Sequence, residues 1–208
     1  MSQAPTHDRL MIYGAYGYTG ELIAREAVAR GMAPVLAGRN EQKTGALARE
    51  LGVEARVFDL DKDAISGQLA DIDVVIHCAG PFSATAPPMI AACLASQTHY
   101  LDITGEIEVF EHLFAQHEAA VAAGVVLCSG AGFDVVPTDC VAARLAEEMP
   151  EAQHLALGFD TRSGLSPGTA KTTVEGLAGG GKIRRDGRIE TVKLAAQTRR
   201  IDFGDGEK

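Results

Sequence analysis

The chain has 208 residues, 46% of them apolar, and a formal net charge of −9. Because domains cluster near ~100 to 150 residues, this length suits one domain and part of another, and the apolar fraction is that of a folded globular protein. The negative charge disfavours nucleic acid as a partner, since a phosphate backbone must be met by positive charge.

Short runs rich in β-forming residues alternate with alanine-rich helical stretches, which is typical of a parallel sheet with crossover helices. Strands are predicted at residues 9–13, 33–37, 55–58, 73–78, 99–103 and 124–128. Helices are predicted at residues 20–30, 40–51, 87–95, 107–123 and 137–149. Pro87 and Pro137 suit first turns of helices, where no N–H is needed. The repeated βαβ unit predicts a doubly wound Rossmann-type domain over residues 1–150.

A second, antiparallel α+β domain is predicted to start after Pro150. A strand is expected at residues 154–159, and Asp186-Gly187 between alternating residues is a strong signal for a two-residue hairpin. No return segment closes this second sheet before Lys208. We therefore expect residues 151–208 to be part of a substrate or dimerisation domain, truncated from a longer protein.

Neither a targeting segment nor a metal site is predicted. The first residues are polar, and the longest apolar stretch, residues 119–128, is far shorter than the roughly 20 residues of a membrane-spanning helix. The 4 cysteines include no Cys-x-x-Cys pair, which favours reduced thiols over disulfides or zinc. We expect a cytoplasmic protein without a bound metal.

The segment that follows the first strand and opens the first helix is rich in glycine. Gly14 permits a tight turn, Gly17 lets the backbone approach a pyrophosphate, and Gly20 allows helix and strand to pack closely. Anionic phosphates are stabilised by the unpaired N–H groups and the positive dipole end of such a helix. The cofactor-binding residues predicted here are Gly14, Ala15, Tyr16, Gly17, Tyr18, Thr19 and Gly20.

The end of the second strand predicts which dinucleotide binds. An NAD site usually has an acidic residue there to accept from the ribose 2′-hydroxyl, whereas this strand ends in Arg39 and Asn40. Arg39, with Lys43 one helical turn later, offers charged donors to the 2′-phosphate of NADP. We therefore expect NADP(H); the alternative is that Arg39 is only a solvated residue. Asp59, at the end of the third strand, is expected either to contact adenine or to be an exposed loop acid.

The loop after the fourth strand is predicted to line the cofactor. In open α/β sheets ligands lie beyond the carboxyl ends of the strands where strand order reverses, here between the first and fourth strands. Ala79 and Gly80, after Cys78, allow close approach. Pro81 stiffens the loop, and Phe82 is placed to wall the nicotinamide. The alternative is a plain connection between a strand and a helix.

Several segments, in the same order, are found together in a known family. They are Tyr13 to Gly20, Leu36 to Asn40, His77 to Phe82, Tyr100 to Glu106 and Gly132 to Pro137. Together they resemble the saccharopine dehydrogenase-like family, and its trans-acting enoyl reductases are the most similar branch. One departure concerns the glycine loop, where Tyr16 stands in the place of a common small hydroxyl residue.

The resemblance implies an NADPH-binding Rossmann domain followed by a substrate domain, in a protein considerably longer than this chain. It implies hydride delivery to an activated double bond, which in the enoyl branch lies in an acyl or polyketide intermediate. The partners expected on this basis are a small-molecule or acyl-chain substrate, a second copy in a homodimer of the full-length protein, and a lipid-synthesis complex bound peripherally.

Reduction of a carbon–carbon double bond needs a general acid in the pocket above the strand ends. Asp134, after a glycine-rich turn, is the first candidate, and Glu106 is the second. The alternative role of Asp134 is hydrogen bonding at the start of the next helix. Asp102 is expected to be buried, paired and important for loop structure, and His77 to be a satisfied core residue.

Other activities are also considered. The short-chain dehydrogenase mechanism requires a Tyr-x-x-x-Lys pair, which none of the 4 tyrosines forms, so that mechanism is excluded. Two readings stay open beside the enoyl reductase. One is reduction of an imine in amino-acid metabolism, and the other is a non-catalytic module that only binds NADP(H).

Overall fold

A computed structural model describes residues 9–61, 65, 67–158, 170, 173, 174, 176, 177, 179–196, 198, 200 and 202–204. The chain divides into two compact units, Met1–Cys140 and Val141–Lys208. Within the described residues, no helix combines the length and the apolar character needed to cross a bilayer.

The first unit is built on a six-stranded sheet in the order β3-β2-β1-β4-β5-β6. Its strands are β1 (Leu10–Tyr13), β2 (Val35–Gly38), β3 (Ala55–Val57), β4 (Val74–His77), β5 (His99–Asp102) and β6 (Leu127–Cys128). Every neighbouring pair is parallel. The predicted doubly wound fold is confirmed, and the strand order reverses between β1 and β4.

Helices follow most of these strands, and the last of them comes after the final strand of the sheet. They are α1 (Tyr18–Ala29), α2 (Glu41–Leu51), α3 (Phe82–Ser96), α4 (Ile107–Phe114), α5 (His117–Ala123) and α6 (Val136–Glu148). Pro137 lies in the first turn of α6, as predicted. The helix predicted at residues 107–123 is divided into α4 and α5.

Two predicted boundaries are wrong for reasons of capping. The third crossover helix begins at Phe82, so Pro87 lies inside it and not in its first turn. The carboxylate of Glu106, in the loop after β5, caps this earlier start. Such a distant contact cannot be predicted from the local sequence. Strand β6 starts later than predicted because Gly124 has a φ of 70° and forms the left-handed cap of α5.

The core covers both faces of the sheet. Alternate residues of a strand point to opposite faces, so Met11 and Tyr13 enter one hydrophobic cluster while Ile12 enters the other. The same division separates Val35 from Leu36 in β2. Burial on both faces explains why these strands are apolar on consecutive residues.

The second unit contains an antiparallel hairpin of β7 (Gly181–Arg185) and β8 (Arg188–Val192). Asp186 and Gly187 join the strands with φ angles of 48° and 77°. Positive φ at both central residues is the requirement of a type I′ turn, so the predicted hairpin is confirmed. The strand predicted at residues 154–159 is not formed over residues 154–158, and Phe159 lies outside the described residues.

Candidate functional site

The glycine turn packs directly against the loop that follows β4. Gly14 has a φ of +81°, and a Cβ there would stand 2.8 Å from the Ala79 nitrogen. A Cβ on Gly20 would stand 2.3 Å from the Gly14 oxygen. Side chains at these two positions would therefore collide with backbone. The turn is closed by hydrogen bonds to the end of β2, where Gly14 N and Ala15 N donate to the Ala37 oxygen at 2.8 and 3.2 Å.

Helix α1 begins directly after this turn, with an N-terminus suited to a phosphate. Its cap residue, Gly17, is extended at φ −75° and ψ 163° and has no side chain with which to cap the helix. Tyr18, Thr19 and Gly20 form the first turn, whose N–H groups precede the first helical bond, from Glu21 N to the Gly17 oxygen. The closed turn and the uncapped N–H groups fit the pyrophosphate of a dinucleotide.

The predicted contacts to the 2′-phosphate lie at the end of β2. Arg39, Asn40 and Lys43 are all exposed. Asn40 has a structural task as well, since its Oδ1 accepts from Lys43 N at 2.9 Å and caps α2. The Lys43 ammonium lies 5.9 Å from the centre of the Tyr16 ring. The structure thus places Lys43 of α2 beside Tyr16 of the glycine loop, and Arg39 directly follows β2.

The end of β3 lies next to Tyr13, the last residue of β1. Its hydroxyl donates to the Phe58 oxygen at 3.1 Å. Burial raises the pKa of Tyr13, the charges of Asp59 and Tyr16 raise it further, and Arg39 opposes them. Asp59 is exposed, so it is accessible to an adenine ring, and its Oδ1 accepts from Leu60 N at 2.8 Å. The ends of β1, β2 and β3 therefore place these groups close enough for their charges to shift the pKa of Tyr13.

The loop after β4 presents Ala79 and Gly80 to the site. Cys78 N donates to the Tyr13 oxygen at 2.8 Å, and the Gly80–Pro81 peptide is cis. Burial, with Asp102 adding to it, raises the pKa of the Cys78 thiol to about 12. This thiol is therefore neutral, which suits an apolar lining and excludes a thiolate nucleophile.

The ring of Phe82 does not occupy the position expected from the sequence. It is buried and meets His77 edge-on, with ring centres 5.4 Å apart. Phe82 therefore supports the loop from the core, and the surface available to a nicotinamide is that of Ala79 and Gly80. The cause is α3, which starts at Phe82 and turns that side chain inward.

His77 is part of a buried relay beneath this loop. Its Nε2 lies 3.0 Å from the Thr85 hydroxyl, which in turn donates to the Ala79 oxygen at 2.6 Å. Burial lowers the pKa of His77 to about 3, so the imidazole is neutral. Its Nδ1 has no hydrogen-bond partner among the described residues. The expectation of a satisfied core histidine is thus wrong for one nitrogen, and sequence reasoning missed Thr85 because an isolated threonine carries no signal.

Asp102 joins the ends of β5 and β6. Its carboxylate accepts from the hydroxyls of Tyr100 and Ser129, both at 2.8 Å, and from the backbone nitrogens of Thr104 and Gly130 at 3.0 and 2.9 Å. It is fully buried. The expectation that Asp102 is paired and organises the loop is confirmed, and these bonds hold two neighbouring strand ends together.

Glu106 links the loop after β5 to the start of α3. Its two carboxylate oxygens accept from Phe82 N at 3.1 Å and from Ser83 N at 2.7 Å. These are N–H groups that the helix itself cannot satisfy. Protonation of Glu106 would weaken this cap, so the geometry favours a positioning residue over a proton donor.

Asp134 lies on the turn between β6 and α6, and its side chain is exposed. Among the described residues none donates a hydrogen bond to its carboxylate. A Cβ on Gly132 would stand 3.1 Å from the Ile103 Cβ, so this turn packs on the loop after β5. Asp134 is therefore an accessible acid beside the loops of β5 and β6.

Comparison with known proteins supports the dinucleotide interpretation. Residues 10–128 match the family model of the saccharopine dehydrogenase NADP binding domain. A protein of Mycobacterium tuberculosis named as a trans-acting enoyl reductase is 31% identical over 195 residues, which cover 86% of this chain and 46% of the relative. The saccharopine dehydrogenase-like oxidoreductase of Mus musculus is 28% identical over 218 residues, covering 92% of this chain and 50% of the relative.

The chain spans about half the length of the curated relatives it matches. Among solved structures, apo saccharopine dehydrogenase (L-Glu forming) from Saccharomyces cerevisiae is similar with a TM-score of 0.67. The sequence identity is 20%, and the match covers 96% of this chain and 48% of that chain. This likeness shows a shared fold over nearly all of the chain.

Proposed function

This chain belongs to the saccharopine dehydrogenase family and carries its NADP-binding domain, and from that premise we propose that the whole protein is an NADPH-dependent enoyl reductase. Its substrate would be an acyl or polyketide intermediate with an α,β-unsaturated double bond. The observation that carries this proposal is the similarity to the mycobacterial enoyl reductase, which extends over 86% of the chain.

The residues of this chain would bind and orient the cofactor. The N–H groups at the start of α1 meet the pyrophosphate, and Gly14 and Gly17 keep its place free of side chains. Arg39 and Lys43 donate to the 2′-phosphate. When bound, NADPH supplies the hydride. Ala79 and Gly80 form the flat wall against which a nicotinamide ring can lie.

Rigid loops would hold this wall in place. Asp102 fixes the ends of β5 and β6, and Glu106 fixes the start of α3. The Thr85 hydroxyl, which is bonded to His77, donates to the Ala79 carbonyl. A preformed wall lowers the reorganisation needed when the reactants meet. Asp134 is the proton donor in this proposal, because it is the accessible carboxyl group of the neighbouring loops.

The test is an assay of the full-length protein with NADPH and an enoyl thioester. We expect NADPH oxidation and one saturated product per NADPH consumed. The control reaction offers a cyclic imine in place of the thioester. Turnover of the imine alone would replace the enoyl assignment by imine reduction, and turnover of neither, with NADPH bound, would leave a binding module. For the longer protein we also propose a homodimer associated peripherally with a lipid-synthesis complex.

A further inference from the structure

Thr44 carries a buried hydroxyl that has no partner. It lies in α2, its side chain is 0% exposed, and its Oγ1 makes no hydrogen bond among the described residues. Its backbone is satisfied, because Thr44 N donates to the Asn40 oxygen at 2.9 Å. The usual outlet for a helical threonine, a bond from the hydroxyl to the carbonyl one turn earlier, is not used. A buried hydroxyl without a hydrogen bond lowers the stability of the fold, and a ligand that accepts a hydrogen bond from it would remove that cost.

The hydroxyl lies at the carboxyl end of β2, against Gly38. A Cβ on Gly38 would stand 3.3 Å from Thr44 Oγ1 and 2.6 Å from Cε1 of the Tyr16 ring. The hydroxyl and the ring therefore contact the same glycine. Only glycine leaves room for the half-buried Tyr16 ring at this position, and that ring lies over the end of β2 next to the hydroxyl.

Two basic residues are the sequence neighbours of Gly38 and Thr44. Arg39 follows Gly38 directly, and Lys43 precedes Thr44. The Lys43 ammonium lies 5.9 Å from the centre of the Tyr16 ring. This strand end thus has two basic residues beside the neutral hydroxyl donor, one directly after Gly38 and one directly before Thr44. A phosphate monoester suits this set, since its charged oxygens accept several hydrogen bonds at once and attract both cations.

We propose that Thr44 is a binding residue for the 2′-phosphate of NADP(H), and that the Tyr16 ring covers its hydroxyl until the phosphate displaces the ring. The inference rests on the proposed function and deepens it by naming a specificity-determining residue.

The test compares Thr44→Val with Thr44→Ser in the 208-residue chain. Valine keeps the shape and removes the hydroxyl, whereas serine keeps the hydroxyl. Thr44→Val should weaken NADPH and 2′,5′-ADP about tenfold, the effect of one lost hydrogen bond to a charged group, and leave NADH and 5′-AMP unchanged. Thr44→Ser should bind all four like the unaltered chain. The Tm of Thr44→Val without ligand should be equal or higher, because an unsatisfied buried hydroxyl is gone.

Two Tyr16 variants test whether the Tyr16 ring covers the Thr44 hydroxyl. Tyr16→Ala should bind 2′,5′-ADP several-fold more tightly, since no ring must move, whereas Tyr16→Phe keeps the ring and should show no such gain. Equal losses for NADPH and NADH in Thr44→Val, or no loss for NADPH, would overturn the role of Thr44. If the unaltered chain bound neither NADPH nor NADH, the proposed function itself would fail. If it preferred NADPH and Thr44→Val kept that preference, only this inference would fail.

Discussion

Glu106 Oε2 accepts a hydrogen bond from Ser83 N at 2.7 Å, so the loop after β5 caps the helix that follows β4. This contact joins two strand ends on one side of the point where the strand order reverses. It also explains how α3 starts at Phe82 although Pro87 and Pro88 lie inside the helix.

Loss of this cap should lower stability. We expect Glu106→Ala to reduce the free energy of unfolding by about 1 to 2 kcal/mol, the usual effect of a lost helix cap. Glu106→Gln should cost less, because its amide oxygen still accepts one N–H. Urea unfolding of both variants measures the difference. Unchanged stability of Glu106→Ala, combined with lost turnover in the full-length protein, would return Glu106 to the catalytic candidates.

Arg39→Ala should weaken NADPH binding by roughly tenfold or more and leave NADH nearly unchanged. The reason is the loss of a charge-assisted contact, which is on the order of 1.5 to 3 kcal/mol. Fluorescence titration with both cofactors measures the effect. Arg30→Ala, at the far end of α1, is the matched control and should change neither affinity. Equal losses for both cofactors in Arg39→Ala would contradict the assignment of the 2′-phosphate site.

Gly17→Val should abolish cofactor binding while the circular dichroism spectrum stays largely intact. A Cβ at Gly17 would stand 3.2 Å from the Gly14 oxygen, and the rest of the side chain would take the space of the pyrophosphate. Gly45→Val is the control, since among the described residues outside the backbone of α2 only Arg49 Nη1, at 3.7 Å, lies near a Cβ there. If Gly17→Val bound NADPH with unchanged affinity, the glycine loop would be a structural turn and not part of the cofactor site.

Asp134→Asn should slow the chemical step of the full-length protein by roughly a hundredfold or more, the typical contribution of a general acid. NADPH affinity should stay close to normal, because Asp134 follows β6, and β4 and β5 lie between that strand and β1 with its glycine loop. Turnover and thermal unfolding are measured on the same variant. Normal turnover together with a lower Tm would assign Asp134 to the start of α6 instead.

His77 should make stability depend on pH. Burial lowers its pKa to about 3, whereas an unfolded histidine titrates near 6.5, so the unfolded chain binds the additional proton between these values. The stabilising effect is complete above about pH 6.5 and falls by about 1.4 kcal/mol per pH unit below it. When the free energy of unfolding is measured in urea between pH 7.5 and 5, it should change less with pH for His77→Gln than for the unaltered chain. The same pH dependence of the unfolding free energy in both proteins would contradict a neutral, buried His77.

The sequence by itself determined the parallel sheet, the glycine turn and the hairpin. These features depend on local chemistry: the length and apolar character of each run, the freedom of Gly14 to adopt a φ of +81°, and the turn preference of Asp186-Gly187. Family motifs placed Asp102 and Glu106 at the site, and burial alone predicted that Asp102 must be paired.

Only the tertiary structure decided how the site is held together. Glu106 and Phe82 are 24 residues apart, and Asp102 and Gly130 are 28 apart, so no local pattern pairs them. The contacts of Tyr16 and Thr44 with Gly38 depend on how α1 and α2 pack against β2. Hydrogen bonds and orphaned hydroxyls of this kind are set by the meeting of distant strand ends, whereas periodicity and turn chemistry act within a few residues.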